Sequence, residues 1–205
     1  MPKPLFIARQ SAHPRGWFGH VVARLMAIDT ASANRRVLER LEPKPGERIL
    51  EVGCGHGRTL ARVAAAAAPA RAVGVDPSQV MRRVARAHLR REIARGRVEI
   101  RDGDAARLPF DDAVFDKAFS VHTVYFWPDL GAGLRELRRV LRQGGELLLA
   151  FHDGADAAKV RQLPDAVYTL RPAAEVEAAL RDAGFRSAAS TPDPETGLVF
   201  AHARR

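Results

Sequence analysis

Cysteine is nearly absent. Cys54 stands alone among 205 residues, so no intramolecular disulfide can form, and a reducing compartment, the cytoplasm, is expected. No apolar run approaches the roughly 20 residues that a membrane-spanning helix needs. The amino-terminal Met1-Pro2-Lys3-Pro4-Leu5-Phe6-Ile7 lacks the apolar stretch of a signal peptide. Seven histidines show no paired ligand spacing, so no metal site is expected. Lysines are few, and the net charge of +9 is carried by arginines scattered along the chain, as in Arg82-Arg83, Arg90-Arg91 and Arg138-Arg139. Such pairs on amphipathic helices read as solvated faces. No aromatic-interleaved basic stripe accompanies them, so nucleic acid is not an expected partner.

What is present is enough for one domain with a small appendage: 205 residues, 46% of them hydrophobic. The chain is organised around Arg48-Ile49-Leu50-Glu51-Val52-Gly53-Cys54-Gly55-His56-Gly57-Arg58-Thr59-Leu60. A short apolar run, a glycine turn and a helix open a βαβ unit with a nucleotide-sized ligand at the turn. A phosphate-binding P-loop would end in Gly-Lys-Ser/Thr, but here Gly57-Arg58-Thr59 has no lysine. A dinucleotide fingerprint would place a third Gly or Ala five positions after Gly53, where Arg58 stands. The spacing is instead Gly-x-Gly-x-Gly, with Glu51 two residues before the first glycine. This pattern resembles motif I of the class I S-adenosylmethionine-dependent methyltransferases.

Residues 1–44 read as a helical leader and 45–205 as the main domain. In the leader, Val21-Val22, Leu25-Met26 and Ile28 form a helical stripe, and Ser32 is a candidate cap for a second helix through Val37, Leu38 and Leu41. Trp17-Phe18 suggest a lid that touches substrate, or a staple onto the core. Pro14, Gly16 and Gly19, followed by Asn34 between two helices, are similar to a subgroup of small-molecule methyltransferases. Downstream, strands are expected at 72–76, 98–101, 115–121 and 146–151. Ser78 should cap a helix whose Val80, Met81, Val84 and Ala85 face inward. The helix with Leu134, Leu137, Val140 and Leu141 should stop at Gln143-Gly144-Gly145. Residues 152–170 should carry substrate contacts, Pro172 should open a helix that ends at Gly184, and 186–191 with 198–203 should form a closing hairpin.

The resemblance covers about 45–205, and the leader more weakly. It implies a Rossmann-like fold: a seven-stranded, mostly parallel sheet with an antiparallel last strand and helices on both faces. It also implies S-adenosyl-L-methionine as cofactor, with Glu51 and the amides of Gly53, Cys54 and Gly55 at its methionine end. Asp76 ends the second strand, where a carboxylate can accept from both ribose hydroxyls. Pro77 follows it, and the family counterpart of Met81 packs on adenine, although core packing explains that methionine as well. In Asp102-Gly103-Asp104-Ala105, with Leu108-Pro109-Phe110 beyond, Asp104 matches the acid that accepts from the adenine amine, with the Ala105 amide beside the ring. Asp102 is the rival, read as a turn residue. Ser120 to His122 fall where the family places the methionine portion.

His122 is also a candidate general base, against a histidine that is merely satisfied by the backbone. Tyr125 and Trp127 would wall an apolar or aromatic substrate, with at least one aromatic of this cluster in plain packing. Within the superfamily the chain looks most like methyltransferases related to those of quinone biosynthesis. No Asn/Asp-Pro-Pro-Tyr/Phe motif follows the fourth strand, which argues against methylation of base amines. A non-catalytic cofactor-binding domain and a nucleotide-dependent oxidoreductase remain the other classes.

Overall fold

A computed structural model describes residues 3–12, 31–68 and 71–205. Trp17, Phe18 and the stripe at 21–28 lie outside the described residues. Among the described residues seven strands form one sheet in the order β3-β2-β1-β4-β5-β7-β6. These are β1 (Ile49–Val52), β2 (Ala72–Asp76), β3 (Val98–Asp102), β4 (Phe115–Val121), β5 (Leu141–Phe151), β6 (Ser187–Asp193) and β7 (Leu198–Arg204). The first five run parallel, and β7 lies antiparallel between β5 and β6. The chain moves outward from β1 through β2 to β3 and then crosses back to place β4 on the other side of β1. That reversal opens a crevice beyond the carboxyl ends of β1 and β4, where ligands sit in open α/β sheets.

Side chains alternate across the pleat, so each strand feeds two cores. Leu50, Val52, Val73, Val75, Leu147 and Leu149 share one core with Leu134 and Leu137 of α6 (Leu130–Val140) and with Val176 and Leu180 of α8 (Ala173–Asp182). Ile49, Ala72, Phe119, Leu148 and Phe200 share the other with Val37 of α2 (Ala31–Leu41), Leu60 and Val63 of α3 (Arg58–Ala66) and Ala85 of α4 (Gln79–His88). Glu51 follows Ile49 by two residues, so it belongs to the α2/α3 side. Ser78 caps α4 by accepting from the Met81 amide at 3.4 Å, and the short α5 (Arg90–Ala94) follows it.

The sequence expectations fail locally where distant partners intervene. α6 stops at Val140 rather than at Gln143-Gly144-Gly145. Leu141 is fully buried and pairs with Phe115, so the chain is already extended there, and the glycines fall within β5 near a register shift. Arg82 is not on a solvated face. It is buried, donating to the Asp76 carbonyl at 2.8 Å and to Asp102 at 3.0 Å. Arg139 likewise donates to the carbonyls of Phe110 (2.8 Å) and Leu108 (3.2 Å) while pairing with Glu136 and Asp112, which pins the Leu-Pro-Phe segment. Between β5 and α8, the helix α7 (Ala157–Gln162) and buried Tyr168 form a platform for the leader. The Lys3 amide donates to the Gln162 carbonyl at 2.8 Å and its Nζ to the Tyr168 hydroxyl at 3.0 Å, where α1 (Leu5–Ala12) begins. Arg36 of α2 holds Asp193 of the hairpin at 2.6 Å, so the leader is tied down at both ends.

Candidate functional site

The turn after β1 can close only with glycine at 53. Gly53 has φ +78, and a Cβ there would overlap the Thr123 side chain. The Gly53 and Cys54 amides donate to the Val75 carbonyl at 2.8 and 3.0 Å, and the Gly55 amide to Asp76 Oδ2 at 2.9 Å. These three N–H groups are engaged within the fold, where the sequence placed them at the methionine end of a ligand. They lock β1 to β2. Gly55 itself faces open space: a Cβ there would meet nothing within 4 Å.

Above this turn lies a cavity of about 440 Å³, inside the roughly 300–1,000 Å³ range of small-molecule sites. Of the expected residues Glu51, Gly53, Cys54, Gly55, Asp76, Pro77, Met81, Asp104, Ala105, His122 and Trp127 line it. Two do not. Ser120 is buried, donating to the Val52 carbonyl at 2.8 Å and bonded to Thr123, because its side chain turns into the sheet. Tyr125 is buried behind His122 among Phe126, Tyr168 and His152, and the exposed edge of that aromatic turn is Phe126. Residues 152–170 contribute nothing to the wall. Ser11 and Ala12 of α1 and Asn34 of α2 do contribute, and only the Asn34 signal was visible in the sequence.

The polar groups of the wall differ in what they leave available. Glu51 is buried, and its Oε2 has no hydrogen-bond partner. Burial pushes its carboxyl well above the usual range, and the Asp76 charge adds to this. Beside it Thr59 donates to Asn34 Oδ1 at 2.7 Å. Asp76 lines the same wall and accepts from the Gly55 amide on Oδ2 and from the Ser78 amide on Oδ1, at 2.9 and 2.8 Å. Asp104 uses Oδ1 to cap its own turn through the Ala106 and Arg107 amides, at 2.8 and 3.1 Å. Its rival Asp102 is off the wall, paired with Arg82. Burial also pushes the Cys54 thiol up, with the charges of Asp76 and Glu51 adding, so it stays a thiol.

At the other end, His122 follows β4 with φ +57, a left-handed conformation unusual outside glycine. Its Nδ1 lies 2.8 Å from the Tyr125 hydroxyl. Burial, then the charges of His152, Lys159 and Lys3, lower its pKa to about 3. Burial and Arg58 lower His56 to about 4. Among the described residues no group of three His, Cys, Asp or Glu is placed to hold a metal ion, and no helix is long and apolar enough to cross a membrane.

Residues 50–149 match the family described as "Methyltransferase domain". The chain is 33% identical over 162 residues to an O-methyltransferase of Penicillium expansum, covering 74% of this chain and 56% of that protein. It is 30% identical over 123 residues to a putative methyltransferase of Bacillus subtilis, covering 60% of this chain and 67% of that protein. A SAM-dependent methyltransferase from Aquifex aeolicus superposes with a TM-score of 0.72 at 20% identity, over 88% of this chain and 96% of that one. That structural likeness establishes a shared fold, and the chain spans little more than half of the Penicillium protein.

Proposed function

Because the chain belongs to the class I S-adenosylmethionine-dependent methyltransferases, we propose that its cavity moves a methyl group from S-adenosylmethionine to a small, partly apolar or aromatic acceptor. The observation that carries this reading is Glu51 Oε2. A buried carboxylate oxygen without a partner is costly, and here it lies on a ligand-sized cavity whose wall also carries Asp76 and Asp104. An ammonium group supplies what it lacks. Glu51 would take the amino group of the methionine end, Asp76 the ribose hydroxyls and Asp104 the adenine amine, with Pro77, Met81 and Ala105 beside the ring. When bound, the sulfonium supplies an already activated methyl.

The protein's remaining work is alignment and exclusion of water, which can supply several kcal/mol of the barrier. His122, Phe126 and Trp127 line the same cavity and would receive the acceptor. The leader serves as a lid in this reading, supported by Ser11, Ala12 and Asn34 on the wall. A cytoplasmic location and an acceptor other than nucleic acid belong to the same proposal. They rest on a single free cysteine and a concave, largely apolar site.

The test is a screen for transfer of labelled methyl from S-adenosylmethionine to phenols, enols and small amines. Transfer to a member of the panel that is lost in Asp76→Ala is the expected result. Tight binding of the cofactor with no transfer to any acceptor would make the domain a binding module. Preference for a nicotinamide dinucleotide would overturn the reading.

A further inference from the structure

The acceptor end contains a hydrogen-bonded chain that the methyl-transfer reading does not by itself require. Tyr125 sits in the 3-10 turn Val124–Phe126, buried against His152, Phe126 and Tyr168. The His152 amide donates to its hydroxyl oxygen at 3.3 Å. The same oxygen lies 2.8 Å from His122 Nδ1. A phenol has one proton to give, and burial pushes the Tyr125 hydroxyl far above its ordinary value, so that proton stays in place. With the oxygen already accepting from His152, its O–H points to Nδ1. A ring nitrogen that accepts carries no hydrogen, so the hydrogen of neutral His122 sits on Nε2. His122 lines the cavity and Tyr125 does not, so the Nε2 edge is the one presented to a ligand.

Building on the proposed function, we propose that Tyr125 is a positioning residue that fixes His122 as a hydrogen-bond donor toward the methyl acceptor. The acceptor this site suits is an acidic phenol or enol that arrives as its oxyanion. The groups that act electrostatically on His122 fit this. His152 after β5, Lys159 on α7 and Lys3 ahead of α1 each oppose protonation of its ring. The carboxylates of the cavity, Glu51, Asp76, Asp104 and Asp129, line its wall but are not among the groups that shift His122. These surroundings oppose a second positive charge on the imidazole and favour an anion at its Nε2–H. The acceptor oxygen gives its lone pair to the methyl carbon, the sulfonium takes back the C–S pair, and no proton is left for a base.

The left-handed backbone of His122 points the same way. Such a conformation in a non-glycine residue is strained and persists only where the surroundings over-determine it. Here the His122 amide donates to the Ala150 carbonyl at 2.9 Å while Tyr125 holds the ring.

Long-range 1H–15N correlation spectra of the 15N-labelled full chain read the tautomer directly, in the free protein and with S-adenosylhomocysteine added. The expected result is a pyridine-like Nδ1 and a protonated Nε2, with His122 not titrating between pH 8 and 5. In Tyr125→Phe the Nδ1 signal should move toward a tautomer mixture, and the titration should shift. A wild-type His122 protonated on Nδ1, or titrating near 6.5, would overturn the donor role. An unchanged Nε2–H tautomer in folded Tyr125→Phe would overturn the positioning role of Tyr125. Each of these outcomes is read without any substrate. Failure of S-adenosylhomocysteine to bind would count against the methyl-transfer reading, not against the tautomer.

Discussion

Replacing Glu51 by glutamine should move stability and cofactor affinity in opposite directions. The carboxyl is buried at the end of β1, and its Oε2 lacks a partner. Its folded-state pKa is raised well above 4.5, so the folded chain holds this proton to higher pH than the unfolded chain does. Glu51 therefore costs nothing below the unfolded value. It becomes destabilising as pH rises through the raised one, at about 1.4 kcal/mol per unit of elevation. Glutamine has the same shape and no charge to bury, so Glu51→Gln should raise the melting temperature at pH 7.5. The gain should be roughly 2–4 °C per kcal/mol for a chain of this size.

The advantage over wild type should shrink as pH falls toward 4.5. Binding of S-adenosylhomocysteine should weaken at the same time, because a charge-assisted hydrogen bond is worth about 1.5–3 kcal/mol, or roughly ten- to 150-fold in affinity. Differential scanning calorimetry and isothermal titration on the same preparations read both quantities. A variant that binds within twofold of wild type would refute the assignment of Glu51 to the ammonium group, and one that melts lower at pH 7.5 would refute the cost of its buried carboxyl.

Three further outcomes are expected. Asp76→Ala should lose about 1.5–3 kcal/mol of S-adenosylhomocysteine affinity by calorimetry, and unchanged affinity in a folded variant would remove Asp76 from the site. Asp104→Asn should weaken binding while Asp102→Asn should instead lower stability by releasing Arg82; the reverse pattern would mean that the adenine acid has been misassigned. His122 and His56 are held neutral in the fold, with values near 3 and 4 against 6.5 in the unfolded chain. The unfolded chain thus binds more protons between those values, and stability should fall on acidification from about pH 6.5 to 4, by up to about 1.4 kcal/mol per pH unit for each histidine. Denaturant titrations at pH 7 and 5 check this, and His122→Asn, which tolerates the left-handed backbone, should show a shallower loss.

The parts legible in the sequence were those decided by neighbours along the chain. β2 and β4 occupy 72–76 and 115–121 as expected, because strands buried on both faces read as apolar runs. The glycine turn, Asp76 and the Ser78 cap are likewise local chemistry. What was not legible depends on residues far apart. Arg82 looks solvent-facing until Asp102, twenty residues on, comes alongside. In the 125–127 turn, Tyr168, more than forty residues later, packs on both Tyr125 and Phe126, yet only Phe126 and Trp127 reach the wall. The glycine amides looked free in the sequence, because nothing local shows that the Val75 carbonyl and Asp76 consume them. The same holds for Ser120, whose hydroxyl is drawn to the Val52 carbonyl across the β1–β4 pair.

The central claim is that the cavity over β1 and β4 is built for S-adenosylmethionine, and a calorimetric titration with S-adenosylhomocysteine, run in parallel with a nicotinamide dinucleotide, tests it most directly. One-to-one binding of S-adenosylhomocysteine, with none of the dinucleotide over the same range, is the expected result. No binding of S-adenosylhomocysteine by folded protein, or tighter binding of the dinucleotide, would contradict it.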